Sequence, residues 1–258
     1  MFRYCPSKRQ QAFESFDIKT ESEWQLCLNY CRNNEERGAL YAIRASYDKA
    51  HALEDMQQLY ALDPKNEHLE MLLIRETLRL EKILLGSSFR RQRYTPEVIA
   101  KNAAYCANLK SFVKKSADEK IVKNVALWRT TEGYLNLLLG DWRNCLKTLN
   151  QARLIANNDV LKEQIDAFDL AARIVGLQGT DEGMDSEIVA MRKSDAYVSD
   201  PDFEGLFYEK IGSMYKAQAN PGVAFLSDYP LPHLEKNPKL DLINDLILLC
   251  QKTSKKSF

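Results

Sequence analysis

Apolar residues recur along most of the chain at intervals of three and four. The pattern is sharpest between Ala126 and Ala156, where two such runs meet at Gly140-Asp141. The first goes from Ala126-Leu127-Trp128 to Leu137-Leu138-Leu139. In the second, Cys145, Leu146, Leu149, Ala152 and Ile155 follow Trp142 by three, four, seven, ten and thirteen residues, which is one helical stripe. So short a break forces the second helix to return antiparallel to the first. Two antiparallel helices cannot cover all of their apolar surface between themselves, so the pair is expected to be one unit of a stacked helical array.

The pattern extends in both directions. Thr20 and Glu23 have capping-box spacing and predict a helix through Trp24, Cys27, Leu28 and Cys31 as far as Asn33-Asn34. From Glu36 to Leu62 two helices are expected with a turn near 46–49, one long helix being the alternative, and Asp63-Pro64 ends the run. Asn66 is expected to cap a helix carrying Leu69 to Leu84, stopped by Gly86. Ser87 to Tyr94 is a polar, basic connection and the place where a sub-boundary would fall. Thr95-Pro96-Glu97 opens a helix with Ile99, Ala103, Cys106 and Val113 on one stripe. Ser116 and Glu119 repeat the capping-box spacing and predict a further helix reaching Leu139.

Toward the C-terminus, Asp159 is expected to cap a helix through Leu161, Ile165, Phe168, Ala172 and Val175, closed by Gly176 and Gly179. A shorter helix follows near 184–198. Asp200-Pro201-Asp202 opens one through Phe203, Phe207, Ile211 and Met214 that stops at Asn220-Pro221-Gly222. Tyr229-Pro230-Leu231-Pro232-His233 is expected to be extended, and Pro238 to open a last helix through Leu240, Ile243, Ile247 and Cys250. The sum is about eleven helices of roughly 12 to 22 residues and no strand. They form a single all-α domain over 1–258, with residues 1–20 and 251–258 frayed.

Composition agrees with helix. Ten glycines and eight prolines in 258 residues disfavour a turn-rich β fold and disorder. Lys plus Arg and Asp plus Glu are both 36, so no global field holds the chain on nucleic acid, and no specific nucleic-acid binding is expected. The cysteines at 5, 27, 31, 106, 145 and 250 are dispersed, and three of them fall on apolar stripes; they are expected to be free thiols. Free thiols and the lack of an apolar run in Met1-Phe2-Arg3-Tyr4-Cys5-Pro6 favour the cytoplasm weakly. An envelope or periplasmic location is the alternative if the sequence is a piece of a longer polypeptide. No window approaches the roughly 18 uncharged apolar residues of a transmembrane segment.

The central hairpin resembles the tetratricopeptide repeat. Gly133, Gly140, Cys145, Leu149 and Ala152 stand at that family's intervals for a small residue, a turn glycine, a small residue, a bulky apolar residue and an alanine. Small residues let two helices approach closely and the bulky one fills the gap against the next unit. A second, partial match is Ala52, Met56 and Asp63-Pro64, with Leu59 where alanine is usual. The chain departs from the family at Arg129 and Asn136, which replace aromatics, and at Asn157, which replaces the closing proline; Trp128 and Tyr134 lie one and two positions out of register. The resemblance implies an α-α superhelix of about eleven helices whose concave face binds peptides or proteins, and it carries no binding residues over to this chain.

Candidate chemistry is sparse. Cys27 and Cys31 with His51 or His68 could ligate a metal, but zinc sites show tighter paired spacing, and core cysteines are the preferred reading; no metal or other cofactor is expected. No Gly-x-Ser-x-Gly motif frames a nucleophile, no glycine-rich phosphate loop is present, and Glu76 and Glu81, or Glu70 and Arg75, form no convergent acid pair. His51 reads as a packing or surface histidine and His233 as solvated. Phe89, Arg90, Arg91, Arg93 and Tyr94 combine cations with aromatics and are a candidate basic and aromatic contact, with a solvated linker as the preferred reading. Tyr229 to His233 is read as packing across the end of the array, or else as a segment that a partner docks.

The expectation is therefore a non-catalytic scaffold that binds a protein or peptide, with Tyr105, Trp128, Arg129 and Tyr134 as candidate contacts, whose alternative role is packing. The other readings are an all-α small-ligand or enzymatic domain, and a structural helical domain of a longer envelope or assembly protein.

Overall fold

The computed structural model describes residues 5–8, 11, 14–16, 18–47, 51–85, 94–177, 188–199, 202–217, 221–228, 232–236 and 238–254. They are helical with no strand among them, in fourteen helical elements rather than about eleven. After a 3-10 turn at Pro6–Lys8 come α1 (Glu21–Tyr30), α2 (Asn34–Tyr47), α3 (Ala52–Leu62), α4 (Glu67–Leu84) and α5 (Pro96–Glu119). Then follow α6 (Val125–Leu138), α7 (Trp142–Ile155), α8 (Asp159–Gly176) and α9 (Asp195–Ser199). The last are α10 (Asp202–Ala217), α11 (Pro221–Asp228), α12 (Pro232–Lys236) and α13 (Leu240–Ser254).

Each helix from α2 to α8 packs on its neighbour in sequence, and alternate helices touch as well: α2 on α4, α4 on α6, α6 on α8, α8 on α10. The chain thus lays down two rows, one of even-numbered helices and one of the helices that return between them. Every helix of the first row from α2 to α8 begins with an asparagine cap. Asn33, Asn66, Asn124 and Asn158 accept from the amides of Glu36, His68, Leu127 and Leu161. The carboxamide satisfies one of the four amides a helix start leaves unpaired. Asn33 to Asn66 is 33 residues and Asn124 to Asn158 is 34. The Asp159 cap expected from sequence is in fact the first helical residue, one place after the cap.

The α6–α7 turn follows from two residues. Gly140 adopts a left-handed φ of 80°. Its amide donates to Leu137 O and that of Asp141 to Asn136 O, both at 2.9 Å, the paired bonds of a glycine-terminated helix. Asp141 then caps α7 through the Asn144 amide. Within the pair, a Cβ on Gly133 would stand 2.9 Å from Leu149 Cδ2, so only glycine permits this approach. Gly38 of α2 faces Leu59 of α3 in the same way, and Gly222 of α11 faces Leu249 of α13.

One apolar core runs from Ala42 to Ile211, and α6 lies at its centre with eleven of its fourteen residues buried. Trp128 packs edge-on to Phe112 of α5 at 5.6 Å, and Phe112 in turn on Tyr60 of α3 at 5.5 Å. The Tyr60 hydroxyl donates to Glu119, and burial, with that carboxylate second, pushes its pKa up to about 12. Asp55 of α3 is fully buried and gripped by Arg44 of α2 through two hydrogen bonds of 2.6 and 2.9 Å, while the guanidinium covers the Trp24 ring of α1.

Four sequence expectations need correction. Ser116 does not open a helix; its hydroxyl donates back to Phe112 O inside α5, which continues to Glu119 and ends at left-handed Lys120, so α6 starts at Val125 under Asn124. Pro232 opens α12, so 232–233 are helical rather than extended; α10 ends at Ala217, before Asn220-Pro221-Gly222, and Pro221 then occupies the first position of α11. The helix expected near 184–198 is interrupted at 193–194. The last helix runs on to Ser254. Gly86, Gly179 and residues 229–231 lie outside the described residues.

Two stability tests follow. Gly140→Ala, where a Cβ meets open space, should cost about 1–2 kcal/mol through backbone strain alone, whereas Gly133→Val should cost about 1–3 kcal/mol through overpacking on Leu149; urea unfolding measures both. Arg44→Met, which strands Asp55 in the core, should cost about 3–5 kcal/mol, and Arg44→Met with Asp55→Leu should recover most of that loss.

Candidate functional site

Three helices of the first row form a groove of about 410 Å³. From α4 it is lined by Ile74, Thr77, Leu78 and Glu81, at the spacing of one helix face. α6 supplies Leu127, Thr130, Thr131 and Tyr134, and α8 supplies Val160, Leu161, Gln164 and Phe168, with the caps Asn124 and Asn158 at one end. Tyr134 stacks on Phe168 at 3.9 Å and 12°, bridging α6 and α8 at the floor. Ile74, Leu78 and Val160 are 44, 50 and 77% exposed, and Met71 extends their stripe one turn toward the start of α4. Burying such side chains against a partner removes apolar area from water, and the groove's neighbours hold them in place before any partner arrives.

The groove is shaped from behind. Glu76 faces away from it, 1% exposed, and accepts from Arg79 Nε at 2.9 Å and the Tyr105 hydroxyl at 3.2 Å, tying α4 to α5. Burial, with the Glu76 charge second, pushes the Tyr105 phenol well up. Arg75 donates to the Ala45 and Ser46 carbonyls at the end of α2. These are charge-assisted hydrogen bonds within and between helices rather than an open acid pair.

The residues singled out from sequence divide accordingly. Tyr134 lines the groove. Tyr105 is half-buried behind α4, and Trp128 has no exposed surface and belongs to the aromatic core, so neither faces the groove. Arg129 is held between Asp118 and Glu132 at 2.6 Å each, and its hydrogen bond is the chief reason the Asp118 carboxyl sits below its usual range. Phe89, Arg90, Arg91 and Arg93 lie outside the described residues; Tyr94 is partly buried at the approach to α5. The side chain of His233 lies outside them too. What sequence reasoning missed is Ile74 and Leu78, which it placed on an apolar stripe without distinguishing covered from open positions.

Cys31 donates to Cys27 O at 3.5 Å, and no metal-holding group of His, Cys, Asp and Glu exists among the described residues. Among those residues, no helix is long and apolar enough to cross a membrane. A second cleft of about 380 Å³ lies between α2, α3 and the start of α4, lined by Glu35, Gly38, Asp63, Glu67 and His68. The chain matches no protein-family model, no curated protein and no solved structure.

None of the six cysteines forms a disulfide. Cys106 and Cys145 are fully buried, and burial pushes both thiols up to about 12. Only the thiolate reacts, so in the native protein at pH 8 a disulfide reagent should modify exposed Cys5 and Cys250 within minutes and leave Cys106 and Cys145 intact until denaturant is added. Rapid native labelling of either buried thiol, mapped by mass spectrometry, would contradict the packing described.

Proposed function

We propose that the chain is a non-catalytic scaffold, a tetratricopeptide-like α-α superhelix that binds a peptide or protein segment in the groove of α4, α6 and α8. The observation that carries this reading is the groove itself, an open apolar trough with exposed Ile74, Leu78 and Val160 above a stacked Tyr134–Phe168 floor. Support for the repeat comes from two of the three cap intervals, 33 and 34 residues, near the family's period of about 34, while Asn66 to Asn124 spans 58, and from glycine contacts in the α2–α3 and α6–α7 pairs. The mechanism is passive: a preformed surface spares the partner part of the ordering cost of binding, and apolar side chains supply the affinity.

Ile74→Asp with Leu78→Asp places charge in the groove without touching buried core. Against a partner identified by affinity purification, this variant should bind at least about tenfold more weakly, the loss expected for one or two buried aliphatic side chains. Leu154→Asp, at an 87% exposed position of α7, should bind as the unaltered protein does. Calorimetry on folded variants decides it. Equal binding by all three proteins would overturn the assignment.

A further inference from the structure

The groove does not end at the caps of α6 and α8. Past Asn124 it opens into a recess of about 340 Å³ formed by Glu70, Lys123, Asn124, Ile155 and Asn157. Glu70 lies one turn before Ile74 on α4, on the same helical face, and Asn124 lines both the recess and the apolar trough, so the two adjoin. Oε1 of Glu70 is buried and has no hydrogen-bond partner. Nor does the carboxylate form an ion pair with Lys123, whose exposed side chain stands at the rim. A buried carboxylate oxygen without a donor is costly, and each such atom in a native structure calls for a partner that satisfies it.

Given the docking groove proposed above, we infer that its occupant is a peptide segment with apolar side chains for the trough and a lysine or arginine that enters the recess and donates to Glu70. An incoming cation is complementary in charge to the unpaired Glu70 carboxylate. Glu70 and Glu81 are eleven residues apart on α4, so the Glu70 recess and the far end of the trough are separated by about 16 Å. An extended segment of about five residues covers that length. Lys123 does not replace the incoming cation, because an ammonium held in water at a rim gains little from pairing. A cation brought in with the apolar side chains is desolvated together with Glu70 and makes a charge-assisted bond.

The probe is a library of random twelve-residue peptides selected on the whole chain, followed by titration of a synthetic peptide of the selected consensus. The expected consensus holds two or three apolar residues and one Lys or Arg at a fixed distance from them. Replacing that basic residue by alanine should weaken binding to the unaltered protein about tenfold and binding to folded Glu70→Gln by less than about twofold, the signature of a direct pair. An apolar consensus with no basic position, or an equal loss on both proteins, overturns this inference and leaves the groove standing. Absence of any selected peptide, or selected peptides that bind Ile74→Asp/Leu78→Asp undiminished, overturns the groove as well.

Discussion

The structure depends on α6 being packed against four neighbouring helices, with one face left to the groove. Eleven of its fourteen residues are buried, and it touches α4, α5, α7 and α8. A helix apolar on one stripe is satisfied by one neighbour, whereas one that buries Trp128, Tyr134, Leu135 and Leu138 around its circumference must be enclosed. Glycine makes that enclosure possible on one side: without a side chain at 133, the helix comes close enough for Leu149 to fill the space. The Gly140-Asp141 turn then fixes α7 antiparallel. What is left of α6, the face bearing Leu127, Thr131 and Tyr134, is the floor of the groove.

Buried charge plays a different part from buried apolar surface. Asp55 with Arg44, Glu76 with Arg79 and Tyr105, and Glu132 with Arg129 each join residues whose separation from water is costly, and each is satisfied by hydrogen bonds. Two of these ties cross between helices, α2 to α3 and α4 to α5, where a polar pair is intolerant of a slipped register. They lie behind the even-numbered row or inside it. The carboxylate of Glu70 is the contrast, placed at the mouth of the groove with one oxygen buried and unpaired.

Much of the helical order was legible because its signals are local. Thr20 with Glu23, Thr95-Pro96, and Gly140-Asp141 each act within four residues, and each works as the spacing indicates. Ser116 misled for the same reason: its hydroxyl has two local uses, capping a new helix or bonding back to Phe112 O, and only the course of the chain beyond Lys120 selects between them. Pro221 and Pro232 are likewise ambiguous, since proline ends one helix and begins the next with equal ease. The groove was illegible on different grounds. Leu72, Leu73 and Leu80 are fully buried while Ile74 and Leu78 on the same helix are open, and that difference belongs to the positions of α6 and α8. Trp128 and Arg129 suggested contacts by residue type, yet both are consumed by the interior they stabilise.

Native-state hydrogen exchange on the whole chain tests the central place of α6 most directly. If α6 is enclosed as described, the amides of Leu135 to Leu138 exchange only by global unfolding and show the largest protection in the molecule, with α4, α7 and α8 at or just below that level. Exchange of those amides through a local opening, at a lower free energy than α4 or α7, would contradict the account.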